Sequence, residues 1–355
     1  MGKIVLEIFL LLIGFVLLVK GADFFVDGAS GIAKKLKVST FIIGVTVVAL
    51  GTSAPELAVT MADAFGGSGE LIVGNILGSN VINIFLILGI SAVICKLPVE
   101  RTTRLIDLPF LVVTSALFLL LGAFGNCFEW WEGLILVVLY VGFMVYNIIL
   151  AKKQSKIQLE EATAVATAFD VDNGVGTQAA QNFWQKIKLG YETLKNKVWF
   201  LIVITVVGLG MVVGGAQLVV GSAQFIAKEL FHIPAEIVAL TVVAFGTSLP
   251  ELVTSVSAAK KGDVGIATGN IIGSNIANIL LIGGVGALCT GANGLPFSME
   301  GIISGCVSLF AAIIVFSSCW GKTKSLTRVS GIIMLLCLAA YYVFIFLNLF
   351  VLKLY

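Results

Sequence analysis

The stretch Gly51, Thr52, Ser53, Ala54, Pro55, Glu56 sets a carboxylate, two hydroxyls and a helix-breaking proline inside a run otherwise apolar enough to cross a membrane. The pattern returns at an offset of 195 residues as Gly246, Thr247, Ser248, Leu249, Pro250, Glu251. An ionisable side chain in hydrocarbon is costly and by default marks a functional site. Proline-interrupted apolar segments at matching positions of two halves point to a transporter's binding site. The composition suits that setting: 59% of residues are hydrophobic, 12% are charged and the mean hydropathy is +1.08, where soluble domains are about half apolar and a quarter charged.

Other function classes are poorly supplied. The net charge of +2 is too small for a nucleic-acid surface. Cys95, Cys127, Cys289, Cys306, Cys319 and Cys337 show no CxxC spacing and read as small core residues rather than a disulfide or metal framework. A single histidine, His232, leaves no material for histidine-based zinc sites or Ser/His triads. The first apolar run lacks a small-residue cleavage site and is followed by further spans, so it is expected to stay as a helix.

About 20 apolar residues cross a bilayer core. That length predicts ten spans, near 4–22, 39–62, 71–95, 107–123, 129–151, 197–224, 236–258, 264–290, 300–319 and 328–350. With the N-terminus outside, 18 of the 22 Lys and Arg residues fall in the five inner connections, Lys20 lies near the inner end of the first span, and only Lys3, Lys228 and Lys353 lie outside. Such a division follows the positive-inside rule, and one span more or fewer would scramble it. Trp130 and Trp131 fall in an outer connection, where an aromatic belt belongs. The expected fold is therefore an all-α, multi-pass cell-membrane protein with both termini outside.

Thr46–Glu56 (TVVALGTSAPE) aligns without gaps on Thr241–Glu251 (TVVAFGTSLPE), and Gly74–Asn83 (GNILGSNVIN) on Gly269–Asn278 (GNIIGSNIAN). Five spans per half is an odd number, so the second copy enters the membrane inverted. The turn Asp63–Glu70 carries no Lys or Arg, whereas its counterpart holds Lys260 and Lys261. Residues 1–151 and 197–355 are the two predicted five-helix repeats, with the polar residues 152–196 as a cytoplasmic linker. Within the linker, Phe183, Trp184, Ile187 and Leu194 suit a short amphipathic helix on the membrane surface or a solvated, frayed one. Asp170, Asp172, Asn173 and Gly174 resemble the start of a calcium loop. The glycine comes one position early, and Gln181 stands where the bidentate Glu belongs.

On a helix, Thr52 and Glu56 face the same way, as do Ser79 and Asn83, Thr247 and Glu251, and Ser274 and Asn278. Every one presents oxygen. Pro55 and Pro250 cannot donate to the carbonyls of Gly51 and Gly246, and the distortion is expected to loosen those of Ala49 and Ala244 as well. Carboxylates, hydroxyls, amide oxygens and loosened carbonyls make an all-oxygen shell that suits calcium and can also hold sodium. For Ser53, Ser79, Ser248 or Ser274 taken singly, helix packing is the simpler reading. Glu56 and Glu251 differ, because nothing basic lies in neighbouring spans to neutralise them. Asp23 and Asp27, near the inner end of the first span, read as solvated or capping, and Glu7 as interfacial.

The paired motifs resemble the two alpha repeats of the calcium/cation antiporter superfamily, in its prokaryotic-type sodium/calcium exchanger branch, and the resemblance covers nearly the whole chain except the central loop. It implies exchange of sodium for calcium by alternating access. On that resemblance Thr52, Ser53, Glu56, Ser79 and Asn83 correspond to ligands from the first half. Thr247, Ser248, Glu251, Ser274 and Asn278 correspond to those from the second, with the carbonyls of Ala49 and Ala244 completing the sodium shells. Calcium and sodium are cargo. No cofactor, enzymatic activity or nucleic-acid partner is implied, and one chain is expected to suffice in the lipid bilayer.

Many relatives, including potassium-dependent exchangers, carry Asp where this chain has Asn278, which puts potassium dependence in doubt. The further acidic residue of the calcium/proton branch is absent from GNILGSN and GNIIGSN, which disfavours proton coupling. The central loop is also too short for the regulatory calcium-binding domains of animal exchangers. A calcium/proton or potassium-linked antiporter is the alternative, and a passive cation channel a further one, although no repeated filter loop is present. An intramembrane protease lacks a second aspartate at the depth of Asp263.

Overall fold

The computed structural model describes residues 2–66, 69–168, 197–229, 244–291, 294–320 and 324–347. The possible calcium loop, the amphipathic segment around Trp184, His232 and the first turns of the seventh predicted span lie outside them. The described residues are almost entirely helical. They form α1 (Gly2–Leu36), α2 (Thr40–Thr52), α3 (Ala54–Gly66), α4 (Leu71–Ile94), α5 (Thr103–Gly125) and α6 (Trp130–Ala168) in the first half. The second half supplies α7 (Val198–Glu229), α8 (Ala244–Thr247), α9 (Leu249–Lys261), α10 (Val264–Thr290), α11 (Met299–Trp320) and α12 (Arg328–Leu347). Eight are long and apolar enough to cross a membrane, and the pair α2 and α3, bent by 43°, makes a ninth candidate.

That bend has a local cause. Ser53 leaves the helical region at φ −82°, ψ 8°, and Pro55 two residues on has no N–H to return to Gly51. Ser248 repeats the geometry at φ −86°, ψ 3°, with Pro250 two residues on. Each glutamate sits in the first turn after its break.

Most of the spanning helices turn much of their surface outward; α4 and α10 do not. In their most apolar windows 78% and 83% of residues are buried, against 17–39% in the other six candidates. The two GNxxGSNxxN helices are thus the most buried of the bundle, although α4 keeps one open stripe, where Leu71 and Gly74 are exposed and a Cβ at Gly74 or Gly78 would meet nothing within 4 Å. Backbone contact is close there: a Cβ at Gly273 of α10 would lie 2.5 Å from the Val45 carbonyl oxygen and 2.7 Å from Ala49 Cβ. Both central helices widen to a π turn, at Ile82–Leu88 and at Asn278–Ile282, just as their second motif ends.

Along one side α1 and α7 run antiparallel, with Gly14 against Gly215, Gly21 against Gly208 and Gly28 against Leu201. Two short ladders bind the halves. Leu97–Pro98 (β1), after α4, pairs antiparallel with Ser325–Leu326 (β4), between α11 and α12. Cys127–Phe128 (β2), between α5 and α6, pairs with Leu295–Pro296 (β3), after α10. The connection after α4 therefore shares a side with the one before α12, and the connection after α10 shares a side with the one before α6. All six cysteines are free thiols.

Candidate functional site

The two breaks bring the duplicated motifs face to face across the repeat boundary. Ser53 Oγ, from the first half, donates to Glu251 Oε1, from the second, at 3.0 Å. Thr52 and Ser274 also face Glu251, while Thr247 of the second half faces Glu56. Glu56 and Glu251 are 1% and 0% exposed and close enough to repel each other. Each carboxylate is therefore approached by hydroxyls of the opposite repeat.

Thr52, Ser53, Thr247 and Ser274 are thus brought to the two glutamates, and the other predicted side chains are buried with many polar atoms to spare. Both carboxylate oxygens of Glu56, Oε2 of Glu251, the hydroxyls of Ser79, Ser248 and Ser274, both amide atoms of Asn83 and Oδ1 of Asn278 are buried without a hydrogen-bond partner. Leaving one such group bare costs about 1–3 kcal/mol, more when charged. So many bare polar atoms, most of them oxygens, are what a site for a polar ligand requires. Lys261 pairs with Asp23 and Asp27, and among the described residues no cationic side chain pairs with either glutamate. A hard cation fits this oxygen-only donor set.

Two expectations change. The Ala49 carbonyl is not loosened outright: it accepts the Ser53 N–H at 3.0 Å and lies 3.4 Å from Thr52 Oγ1. Only its second lone pair can reach an ion. Its counterpart Ala244 is the first residue of α8. Asp23 and Asp27 are engaged rather than merely solvated, for Lys261 Nζ reaches Asp27 Oδ1 at 2.8 Å and Ser257 Oγ donates to Asp23 Oδ1 at 2.8 Å. Glu7 accepts a hydrogen bond from Ser222 at 2.8 Å.

The sequence reading also passed over four asparagines of the repeated motif. Asn270 accepts from Thr52 Oγ1 at 3.0 Å and donates to Ser255 Oγ at 2.8 Å, tying the first-half break to α9. Asn80 donates to the Asn275 carbonyl at 3.3 Å and accepts from Asn278 Nδ2 at 3.1 Å, which locks α4 to α10 and turns Oδ1 of Asn278 free. Asn275 bonds back to Ile271 O, and Asn75 keeps a buried Nδ2 without a partner. The repetition of all three asparagines in both motifs was the signal that could have found them.

Broken helices carrying the two copies of one motif, meeting at buried carboxylates and hydroxyls in an all-helical bundle of apolar spans, define an integral membrane protein of transporter type. Residues 6–149 and 200–347 match the family described as sodium/calcium exchanger protein. The chain belongs to the sodium/calcium exchanger family. It is 33% identical over 352 residues to sodium/calcium exchanger MaX1 of Methanosarcina acetivorans, covering 97% of this chain and 99% of that one. It is 31% identical to inner membrane protein YrbG of Escherichia coli, with 92% of each chain covered. Among solved structures it is similar to the sodium-calcium exchanger NCX_Mj soaked with sodium and strontium, with a TM-score of 0.77 at 28% identity over 96% of this chain and 99% of that one.

Proposed function

We propose that the protein is a secondary antiporter of the cell membrane that exchanges sodium for calcium by alternating access, with the ions held between the two repeats. The observation that carries this reading is the crossed arrangement in which Ser53 bonds Glu251 while both carboxylate oxygens of Glu56, Oε2 of Glu251 and the Ser79, Ser248 and Ser274 hydroxyls stay buried without a hydrogen-bond partner. Two carboxylates supply a charge of about −2, which one calcium or two to three sodium ions roughly neutralise. Binding either cargo therefore competes with the other, and this mutual exclusion is what couples them.

In this reading Glu56 and Glu251 hold calcium. Thr52, Ser53, Ser79 and Asn83 supply neutral oxygens from the first half, and Thr247, Ser248, Ser274 and Asn278 from the second. The Ala49 and Ala244 carbonyls complete the sodium shells. The protein spans the membrane ten times with both termini outside. Residues 1–151 and 197–355 are the repeats and 152–196 the cytoplasmic linker. One chain is sufficient, because both halves of the cage are on it.

The test is counter-ion dependence of calcium flux in proteoliposomes. Calcium uptake should follow an outward sodium gradient and not a potassium or pH gradient alone. Uptake driven equally well by a pH gradient would replace sodium coupling with proton coupling, and flux that needs no counter-ion and does not saturate would indicate a channel.

A further inference from the structure

Away from the repeat cage, at the end of α5 that follows β1, a second set of oxygens is buried without partners. Asp107 and Asn147 are each 1% exposed and Thr103 is fully buried, and Asp107 Oδ1, Asn147 Oδ1 and Thr103 Oγ1 all lack a hydrogen-bond partner. Phe110 of α5 and Phe143 of α6 stack with centroids 5.1 Å apart and planes within 6°, which sets the register of these antiparallel helices. Asp107 precedes Phe110 by one turn and Asn147 follows Phe143 by one turn, so both lie towards the same end of the stacked pair, and Tyr146, next to Asn147 in the chain, interacts with Asp107. The Asn147 amide N–H already donates to the Phe143 carbonyl at 3.0 Å, leaving its oxygen as the free end.

The backbone contributes as well. Residues Thr103–Asp107 form a π turn in which the Leu108 N–H reaches back to the Thr103 carbonyl. Pro109 has no N–H for the carbonyls one turn before it. Among the described residues no cation pairs with Asp107; the charge of Arg104, one turn earlier, acts on Cys319. The Thr103 hydroxyl faces the Asp107 carboxylate, Glu100 acts on it from further out, and Tyr146 lies beside it. Glu100 is exposed and also accepts a hydrogen bond from Ser39, the N-cap of α2.

We propose that Asp107, Thr103 and Asn147 form a second cation site, for a monovalent hard ion of the sodium type, between α5 and α6 and separate from the repeat glutamates. One carboxylate among neutral oxygens balances a single positive charge; a divalent ion would keep one charge uncompensated in apolar surroundings. Glu100 stands at the mouth and draws cations in. Through Ser39 the same residue touches the start of the broken span that leads to Glu56, so occupancy of this site is linked to the position of α2.

Equilibrium binding of radioactive sodium to the purified full-length chain carrying Glu56→Gln and Glu251→Gln reads this site with the central cage disabled. Saturable sodium binding should persist there and weaken by about tenfold or more when Asp107→Asn is added. Asn147→Asp, which supplies a second carboxylate in nearly the same volume, should shift the site from sodium toward calcium. Sodium binding that vanishes with the two glutamates, or that neither Asp107→Asn nor Asn147→Asp alters, overturns the proposal. If Asp107→Asn does not fold, Asn147→Asp decides alone. The measurement involves no flux, so it stays readable even if sodium/calcium exchange fails its own test.

Discussion

The Ser53 hydroxyl donates to Glu251 Oε1 at 3.0 Å across 198 residues of sequence and across the boundary between the repeats. Each half of the cage is thus completed by the other, and a change in the position of α2 relative to α9 alters the environment of both carboxylates at once. Ser53→Ala removes this charge-assisted bond, worth about 1.5–3 kcal/mol. The expected outcome is a rise of about tenfold or more in the KM for calcium, measured as initial uptake into sodium-loaded proteoliposomes, with the purified protein still monodisperse.

Asn270 holds Thr52 and Ser255 together from the centre of α10. Asn270→Leu strands both hydroxyls in a dry interior at about 1–3 kcal/mol for each group left bare. A lower unfolding temperature of the purified protein is expected, together with reduced calcium flux.

Gly269 and Gly273 let α10 touch the backbone of α2. A Cβ at Gly269 would sit 2.5 Å from the Phe41 carbonyl oxygen, and one at Gly273 equally close to that of Val45. Neither carbonyl can move without the helix. Alanine at either position should cost about 1–3 kcal/mol and lower thermal stability, while Gly142→Ala on the outward face of α6, where the added carbon meets nothing, should not.

The Lys261 bridge to Asp23 and Asp27 joins α9 to α1, but its side chains keep 27%, 38% and 32% exposure. Ion pairs in such contact with water contribute about 1 kcal/mol or less. Lys261→Met should therefore shift stability by no more than that, and high salt should shrink the difference further.

Much of this architecture is legible in the residues because a bilayer penalises departures so heavily. Apolar run lengths locate α1, α4, α5, α6, α7, α10, α11 and α12, and proline two residues after Ser53 and Ser248 locates both breaks. The cage was legible from duplicated polar groups in apolar helices. The asparagine network was not, because pairing residues four apart assumes that a helix has one functional face. Helices α4 and α10 are buried over most of their surface, so Asn80, off the Ser79–Asn83 face, finds partners too, and Asn270 continues the Ser274–Asn278 face one turn further, where it meets Thr52 and Ser255. The partner of Asp23 and Asp27 was equally hidden: Lys261 stands more than 230 residues away, and only the packing of α9 on α1 brings it there. Strands of two residues such as Leu97–Pro98 are too short for any alternation to announce them.

The central claim is that Glu56 and Glu251 hold one ion jointly, and single charge-neutralising substitutions test it most directly. Sodium-driven calcium uptake should fall to background in proteoliposomes carrying Glu56→Gln and, separately, in those carrying Glu251→Gln, since either change leaves one carboxylate to face a divalent ion. Uptake at the unmodified rate in either variant would contradict the account.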